Sequence, residues 1–299
     1  MQLIRDIHAA KRAEGRPLVS FEFFTPKTAE AEQALFAKAL PALARLRPDF
    51  CSVTYGAGGS TRDKTLSMVD RIQREHRLPA MAHLTCVGST REQISELLAE
   101  ARTRGIHNIL ALRGDPPAGT SGFSPVAGGV RFAHELVTLT RELGGFCVGV
   151  AGFPEGHVEC KEGKAVDWKR LKAKIDCGAD FVITQLFFDN AFYYEFRDYL
   201  TGRLGVTVPL IPGIIPILST GQIKKFTSLC GATLPSALVG RLEALGDDEA
   251  AVTQFGIDFA SQQCAELLRQ GAPGVHFYTL NRSSATGRIL QNLGLASPS

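Results

Sequence analysis

A glutamate stands inside an aromatic segment near the start of the chain. Residues 18–27 read LVSFEFFTPK, a β-branched and aromatic run that Thr-Pro stops, and this pattern predicts a β-strand. Because side chains alternate along a strand, Glu22 faces away from Phe21 and Phe23. An unpaired buried charge is costly, so we expect apolar neighbours to raise the pKa of Glu22 and suit it to general-acid chemistry. The alternative is a structural ion pair with Arg113.

A second carboxylate follows another apolar run. Asp115 lies in ALRGDPPAG, where two prolines prevent the chain from running straight into a helix. The preceding Gly114 permits close backbone approach. The segment therefore predicts a carboxylate that is fixed at the end of a strand, and an ordinary turn aspartate is the alternative.

A basic helical segment is the third candidate. Residues 167–176, DWKRLKAKID, look like the start of a helix, and Arg170 and Lys174 are four positions apart on one face. Positive charge near a helix N-terminus opposes the helix dipole unless an anion such as a phosphate binds there. The segment predicts an anion site, with a solvated basic face as the alternative. The glycines of TYGAGGST (54–61) are a weaker candidate for a second close-approach loop.

Eight short apolar runs must position these residues. Their mostly continuous apolar character is typical of parallel strands that are buried on both faces. The runs are LVSFEFF (18–24), FCSVTYG (50–56), AMAHLTC (80–86), NILALRGD (108–115), FCVGVAGFP (146–154), FVITQLFF (181–188), PLIPGIIP (209–216) and GVHFYTLN (274–281).

Helical patterns separate the runs at a spacing of about one βα unit. We expect Thr28 to cap the first of these helices, Ser89 or Thr90 to cap the third, and two helices, over 219–230 and 247–270, to precede the last strand. Eight such units predict a single-domain (β/α)8 TIM barrel over residues 1–299, with a loose tail at about 295–299. An open doubly wound sheet is the alternative, although no GxGxxG follows the first strand.

Polar residues recur at one end of the apolar runs. In a (β/α)8 barrel the chemistry lies at the C-terminal ends of the strands, so these residues are candidates for an active site. They are Glu22, Thr54, His83, Thr85, Arg113, Asp115, His157, Gln185, Tyr278, Asn281 and Arg282.

Composition excludes several other classes of protein. The chain has 299 residues, 44% of them hydrophobic, and a net charge of +3, without the basic tract that nucleic-acid binding requires. It shows neither a secretory signal nor a stretch of about 18 apolar residues, so we expect a cytoplasmic protein without membrane contact. Its seven cysteines form no CxxC pair, which predicts reduced and mostly buried thiols.

The motifs together resemble one family. SFEFFTPKT, SVTYGAGGS, HLTC, ALRGDPP, FPEGH, DFVITQLFFD, IPGIIPI and HFYTLNR are similar, in the same order, to segments of methylenetetrahydrofolate reductase. The resemblance covers nearly the whole chain and implies the short bacterial form, with the catalytic barrel alone. It implies bound FAD, NADH or NADPH as co-substrate, and ping-pong reduction of 5,10-methylenetetrahydrofolate to 5-methyltetrahydrofolate, and we expect a homo-oligomer.

The resemblance also implies roles for individual residues. Glu22 matches the general acid that opens the folate ring to an iminium ion, and Asp115 matches an aspartate near the flavin and the pterin. The matching substrate positions are Gln185, Thr220, Tyr278 and Arg282. The matching flavin positions are Thr54, Tyr55, His83, Arg113, Gly114 and Phe153, while His157, Asp167, Arg170 and Lys174 match the site of the ADP half of FAD.

The chain departs from the family pattern at two of these positions. Thr220 lies where some bacterial relatives carry a phenylalanine that stacks on nicotinamide or folate, and Phe153 lies where relatives often carry tyrosine. A family member with another electron donor is therefore an alternative, as is a noncatalytic folate- or flavin-binding barrel. A metal-dependent hydrolase would use His83, His157 and His276 with Asp115. No HxH pair follows the first strand, however, and His276 falls near the start of its strand, away from the active-site end.

Overall fold

Eight parallel strands form a closed barrel in a computed structural model that describes residues 2–55, 62–114 and 126–296. Each strand pairs with its neighbours in chain order, and β8 closes the barrel against β1. The predicted eight strands and the (β/α)8 TIM barrel are confirmed. The strands are β1 (Leu18–Phe23), β2 (Phe50–Val53), β3 (Ala80–Thr85), β4 (Asn108–Leu112), β5 (Cys147–Gly152), β6 (Phe181–Leu186), β7 (Leu210–Ile214) and β8 (Gly274–Tyr278).

Twelve α-helices surround the barrel in the described ranges. Two of them continue into short π-helical turns, Leu35–Ala39 and Tyr199–Arg203. The helices are α1 (Ile4–Ala13), α2 (Ala29–Ala34), α3 (Leu40–Ala44), α4 (Arg62–His76), α5 (Arg91–Thr103), α6 (Ala133–Leu143), α7 (Lys164–Asp176), α8 (Asn190–Asp198), α9 (Thr220–Cys230), α10 (Ser236–Leu245), α11 (Glu249–Arg269) and α12 (Ser284–Asn292).

Local signals fix several helix ends. Thr28 caps α2 by accepting a hydrogen bond from the Ala31 amide, and Thr90 forms a capping box with Gln93 at the start of α5, so both predicted caps are confirmed. Before β8 the chain forms α9 and α11 as expected. It also forms α10, which the sequence analysis did not predict.

Strand alternation divides the core into two layers. Phe21 and Phe23 of β1 are buried in the layer between strands and helices, where Phe21 packs against Phe277 with ring centroids 6.2 Å apart. The inward side chains of the lower barrel form a separate apolar cluster that includes Leu18 and Phe50. Helix α1 closes this end of the barrel, because the fully buried Ile4 joins that cluster. The opposite end, where the strands terminate, is here called the mouth.

Helix α7 begins earlier than the sequence suggested. It starts at Lys164, and Gly163 before it provides no side-chain cap, so Arg170 is the middle residue of the helix and Lys174 lies in its last turn. Cations are favourable near a helix C-terminus, so the argument from an opposed helix dipole is wrong. The shared face of Arg170 and Lys174 does not depend on that argument.

Two further expectations concern the chain end and the cysteines. Leu295 and Ala296 pack against the core, so the predicted loose tail is wrong for these two residues, and 297–299 lie outside the described ranges. All seven cysteines are free, and four of them are buried, as predicted. No helix in the described part of the chain is long and apolar enough to cross a membrane.

Candidate active site

Glu22 lies inside the barrel at the mouth, as strand alternation predicted. Its side chain is buried with 8% relative exposure, and its Oε2 atom lies 3.3 Å from His83 Nε2 and 3.4 Å from His276 Nε2. Ser52 Oγ donates a hydrogen bond of 3.4 Å to the same oxygen. The carboxyl group therefore has polar partners from three strands. Arg113 is not among them, because it pairs with Glu159 at 2.5 Å.

The expected rise in the pKa of Glu22 is wrong for the ligand-free protein. Burial alone would raise this pKa, but the charges and hydrogen bonds of His83 and His276 outweigh burial and lower it from its ordinary 4.5 to about 2. The phenylalanines do not set the pKa, because Phe21 and Phe23 point into the helix layer. Two imidazoles set it instead.

His276 does not lie near the start of its strand, as the sequence suggested. It lies in the middle of β8, opposite Ser20 of β1, and is fully buried. Its Nδ1 atom shares a 2.8 Å hydrogen bond with Ser20 Oγ, while Nε2 faces Glu22. The line Ser20–His276–Glu22 therefore runs from the interior of the barrel toward the mouth.

A cavity of about 780 Å³ opens beside Glu22 at the mouth. The buried Thr85 Oγ1 atom has no hydrogen-bond partner among the described residues, while His83 Nε2 faces Glu22 Oε2 at 3.3 Å. Unpaired buried polar atoms are rare, so they indicate a site for a polar ligand. The wall comprises Glu22, Phe24, Thr25, Pro26, Lys27, Thr54, Tyr55, His83, Thr85, Val87, Leu112, Gly114, Gln222, Phe226, Leu280 and Asn281.

A second cavity, of about 650 Å³, adjoins the first through Leu112 and Gly114. It is lined by seven of the predicted cofactor residues: Arg113, Gly114, Phe153, His157, Asp167, Arg170 and Lys174. Phe153 is held at its wall because Trp168 Nε1 donates a 2.9 Å hydrogen bond to the Phe153 carbonyl. His157 meets the Phe153 ring edge-on, with ring centroids 4.6 Å apart.

Helix α7 supplies three charged residues to this second cavity, Asp167, Arg170 and Lys174. Burial lowers the pKa of Lys174 to about 8, and Lys174 Nζ donates a 2.7 Å hydrogen bond to the Ala151 carbonyl. Burial also raises the pKa of Asp167, against the opposing effect of a hydrogen bond from the His157 backbone. Arg170 pairs with Glu162 at 2.5 Å at the exposed rim. A half-buried cation beside an exposed one suits a phosphate-bearing ligand.

Gly114 occupies the junction of the two cavities. Its φ of +87° is a conformation that other residues rarely adopt, and an added Cβ would lie 2.7 Å from Val87 Cγ1. Asp115, the next residue and a predicted catalytic group, lies outside the described residues, as does the glycine-rich stretch 56–61.

Comparison with known proteins assigns the chain to a family. The family model described as methylenetetrahydrofolate reductase matches residues 6–294. The chain belongs to the methylenetetrahydrofolate reductase family. It is 39% identical over 282 residues to the 5,10-methylenetetrahydrofolate reductase of Escherichia coli (strain K12), covering 94% of this chain and 92% of that protein.

Relatives of this family also include longer proteins. A probable methylenetetrahydrofolate reductase (NADH) of Oryza sativa subsp. japonica is 39% identical over 309 residues, which are 100% of this chain and 52% of the rice protein. The chain thus spans about half the length of the plant relatives that it matches. The chain also aligns with a solved structure of a Clostridium thermocellum protein that is described as binding two copies of 5-methyl-5,6,7,8-tetrahydrofolic acid. The alignment covers 96% of both chains with a TM-score of 0.61 at 16% sequence identity, which shows that the two proteins share a fold.

Four residues that the methylenetetrahydrofolate reductase resemblance placed at the substrate do not line either cavity. Gln185 folds back onto its own strand, where its Oε1 accepts a hydrogen bond from the Leu186 amide. Tyr278 OH donates to the Thr184 carbonyl at 2.7 Å within the barrel. Thr220 is half-buried at the start of α9, with no hydrogen-bond partner for its hydroxyl among the described residues, and Arg282 is exposed.

Several residues of the site escaped the sequence analysis. On α9, Gln222 and Phe226 are four positions apart and both line the mouth cavity, although the sequence drew attention to Thr220. Ser20 could have been found, because it shares the inward face of β1 with Glu22. No described residues form a group of three or more His, Cys, Asp or Glu side chains that could hold a metal ion.

Proposed function

We propose that this member of the methylenetetrahydrofolate reductase family reduces 5,10-methylenetetrahydrofolate to 5-methyltetrahydrofolate with a nicotinamide nucleotide, through bound FAD and by a ping-pong mechanism. The observation that carries the proposal is the placement of Glu22. This carboxyl group lies at the wall of a cavity that can hold a ring system, next to a second cavity with the donors that a dinucleotide requires.

The residues of the second cavity fit the ADP half of FAD. Lys174 and Arg170 would face phosphate, Asp167 can accept hydrogen bonds from a ribose, and Phe153 would pack against the ring system. Thr85 supplies an unpaired hydroxyl group where the flavin ring would enter the mouth cavity. When bound, FAD supplies hydride transfer from the nicotinamide to the methylene carbon of the folate.

Glu22 delivers the proton that opens the five-membered ring of the folate. Since the pKa of free Glu22 is about 2, the carboxyl group alone stores no proton near neutral pH. His83 and His276 both lie within 3.4 Å of Glu22, so a proton can pass between either imidazole and the carboxyl group. We therefore propose that an imidazole holds the proton and that Glu22 passes it to the folate nitrogen.

Water must be kept from this proton. His276 is fully buried, and Glu22 and His83 are buried by more than nine-tenths, so a ring system seated in the mouth cavity would cover the group completely. In such an environment the charge of the iminium ion that ring opening creates is stabilised by the Glu22 carboxylate left behind.

Separate measurement of the two half-reactions tests the proposal. In Glu22→Gln, we expect anaerobic flavin reduction by the nicotinamide nucleotide to stay within about threefold of wild type, while flavin reoxidation by methylenetetrahydrofolate slows about 10²- to 10⁴-fold. Glu75→Gln is the matched control, because Glu75 is an exposed glutamate that pairs with Arg71 on α4. An equal loss of both half-reactions would show that Glu22 has no specific role in proton transfer.

A further inference from the structure

The turn after β8 contains two consecutive residues in the left-handed backbone region. Leu280 has a φ of 54° and Asn281 a φ of 56°, and neither is glycine. Such conformations are unfavourable, persist where surrounding contacts enforce them, and cluster at functional sites. Both residues line the mouth cavity beside Glu22.

The contacts that enforce this turn run to the end of β1. Asn281 Oδ1 accepts a 2.9 Å hydrogen bond from the Phe24 amide, and Asn281 Nδ2 donates a 2.9 Å hydrogen bond to the Phe24 carbonyl. Thr279 Oγ1 donates to the Glu22 carbonyl at 2.7 Å, and the Thr279 amide reaches the same oxygen at 3.4 Å. The Asn281 amide in turn donates to Thr279 Oγ1 at 3.3 Å. Thr279 and Asn281 are here called the β8 clamp.

The other side of the β1 end is also held. The Thr25 amide donates to Thr54 Oγ1 at 3.1 Å, and Thr25 Oγ1 donates to the Thr54 carbonyl. The backbone from Glu22 to Thr25 is therefore fixed between β2 and β8 beyond the regular strand pairing. Since side-chain direction follows the backbone, this fixation sets where the Glu22 carboxyl group meets its two imidazoles.

We propose that the β8 clamp is a positioning device for Glu22 and that Asn281 is its principal residue. This inference rests on the proposed function, in which Glu22 exchanges a proton with the imidazoles and with the folate. Proton transfer requires donor and acceptor within hydrogen-bond reach, and small displacements of a reacting group are costly in rate. With this left-handed backbone, the side-chain amide of Asn281 reaches back to the backbone of Phe24.

Asn281→Gly is the most informative variant. Glycine tolerates a φ of 56°, so the turn keeps its preferred backbone while the amide contacts to Phe24 are lost. Arg77→Gly is the matched control, because Arg77 has a φ of 53° and is exposed at the end of α4, away from both cavities. We expect the folate half-reaction of Asn281→Gly to slow about 10- to 100-fold, with flavin reduction and the KM for folate within about threefold of wild type.

Thr279 provides a conservative rescue. Thr279→Val removes the hydroxyl bond to the Glu22 carbonyl and should slow the same half-reaction, whereas Thr279→Ser keeps the hydroxyl and should restore most of the rate. If the clamp is only structural, Asn281→Gly and Thr279→Val should instead lower the thermal stability and the rates of both half-reactions together.

A measurement on the ligand-free protein separates this inference from the proposed function. With ¹³C-labelled histidine, the ring signals of His83 and His276 should change chemical shift in Asn281→Gly and stay unchanged in Arg77→Gly. Unchanged histidine signals would overturn the inference, whatever the wild-type protein catalyses. Changed signals in a wild-type protein that reduces no folate would support the clamp and contradict the proposed function.

Discussion

The half-buried Lys174 of the second cavity leads to a quantitative prediction about cofactor binding. Burial, partly offset by the charge of Asp167, lowers the pKa of Lys174 from 10.5 to about 8, which corresponds to a net cost of about 3 kcal/mol for the charged form in the ligand-free protein. A phosphate group beside Lys174 Nζ would favour the charged form. Because FAD then binds preferentially to protonated Lys174, its affinity should fall as pH rises above about 8, where the free lysine loses its proton.

The expected size of the effect follows from this pKa. With a pKa of about 8, roughly nine-tenths of the free protein carries charged Lys174 at about pH 7, and roughly one-tenth at about pH 9. The dissociation constant of FAD should therefore rise about tenfold over this interval. Lys174→Arg should abolish the pH dependence, because the guanidinium group stays charged. Lys174→Met should weaken binding about 10- to 100-fold at pH about 7 and also abolish the pH dependence.

Fluorescence titration of the flavin-free protein with FAD, at several pH values, measures these constants directly. Thermal unfolding of each flavin-free variant shows whether the fold is retained. If Lys174→Met shows the same tenfold weakening with pH as wild type, another group is responsible for the pH dependence. If wild type shows no pH dependence, Lys174 does not face the phosphates of FAD.

Three further predictions concern stability and packing. Gly114→Ala should lower the free energy of unfolding by about 2 kcal/mol, because φ is +87° and the new Cβ would lie 2.7 Å from Val87 Cγ1. Urea denaturation measures this loss, and an unchanged free energy of unfolding would contradict the tight packing. The folded-state pKa of Glu22 is lowered to about 2, so its carboxylate contributes stability above about pH 4.5 that is lost as pH falls toward 2. In a series of acid denaturation measurements, wild type should therefore lose more stability than Glu22→Gln over this interval, and parallel curves would refute the lowered pKa. Tyr278→Phe should cost about 1–2 kcal/mol in chemical denaturation, because the buried Thr184 carbonyl loses the hydroxyl that donates to it, and no measurable cost would show that this hydrogen bond contributes little.

The barrel and the position of Glu22 could be predicted because both depend on short-range periodicity. Eight near-continuous apolar runs indicated parallel strands, and alternation along β1 placed Glu22 on the inward face, opposite to Phe21 and Phe23. The partners of Glu22 could not be derived in the same way. They lie on β2, β3 and β8, and which residues meet across a barrel depends on the register at closure, which pairs Ser20 with His276.

The error in the pKa of Glu22 has the same origin. The sequence places phenylalanines next to Glu22 in the chain, but the side chains that surround its carboxyl group in space come from distant segments. The burial of Glu22 was predicted correctly. The two imidazoles that oppose the effect of burial on its pKa were not predicted. The start of α7 was misjudged for a local reason, since Gly163 offers no side-chain cap that would mark the boundary at Lys164.

The contribution of α9 to the mouth illustrates a further limit. A family pattern drew attention to Thr220, whereas the described cavity is lined by Gln222 and Phe226. A shift of a few residues along a helix changes the face that it presents, and packing against the neighbouring elements decides that face. The sequence alone contains no signal that fixes this rotation.

An anaerobic visible absorbance spectrum of the purified protein tests the central claim most directly. The spectrum is recorded after supplementing with FAD, then after adding NADH or NADPH, and finally after adding 5,10-methylenetetrahydrofolate. We predict flavin absorbance that one of the nucleotides bleaches and that the folate restores. A protein without flavin absorbance, or a bound flavin that neither nucleotide reduces or that the folate fails to reoxidise, would contradict this prediction.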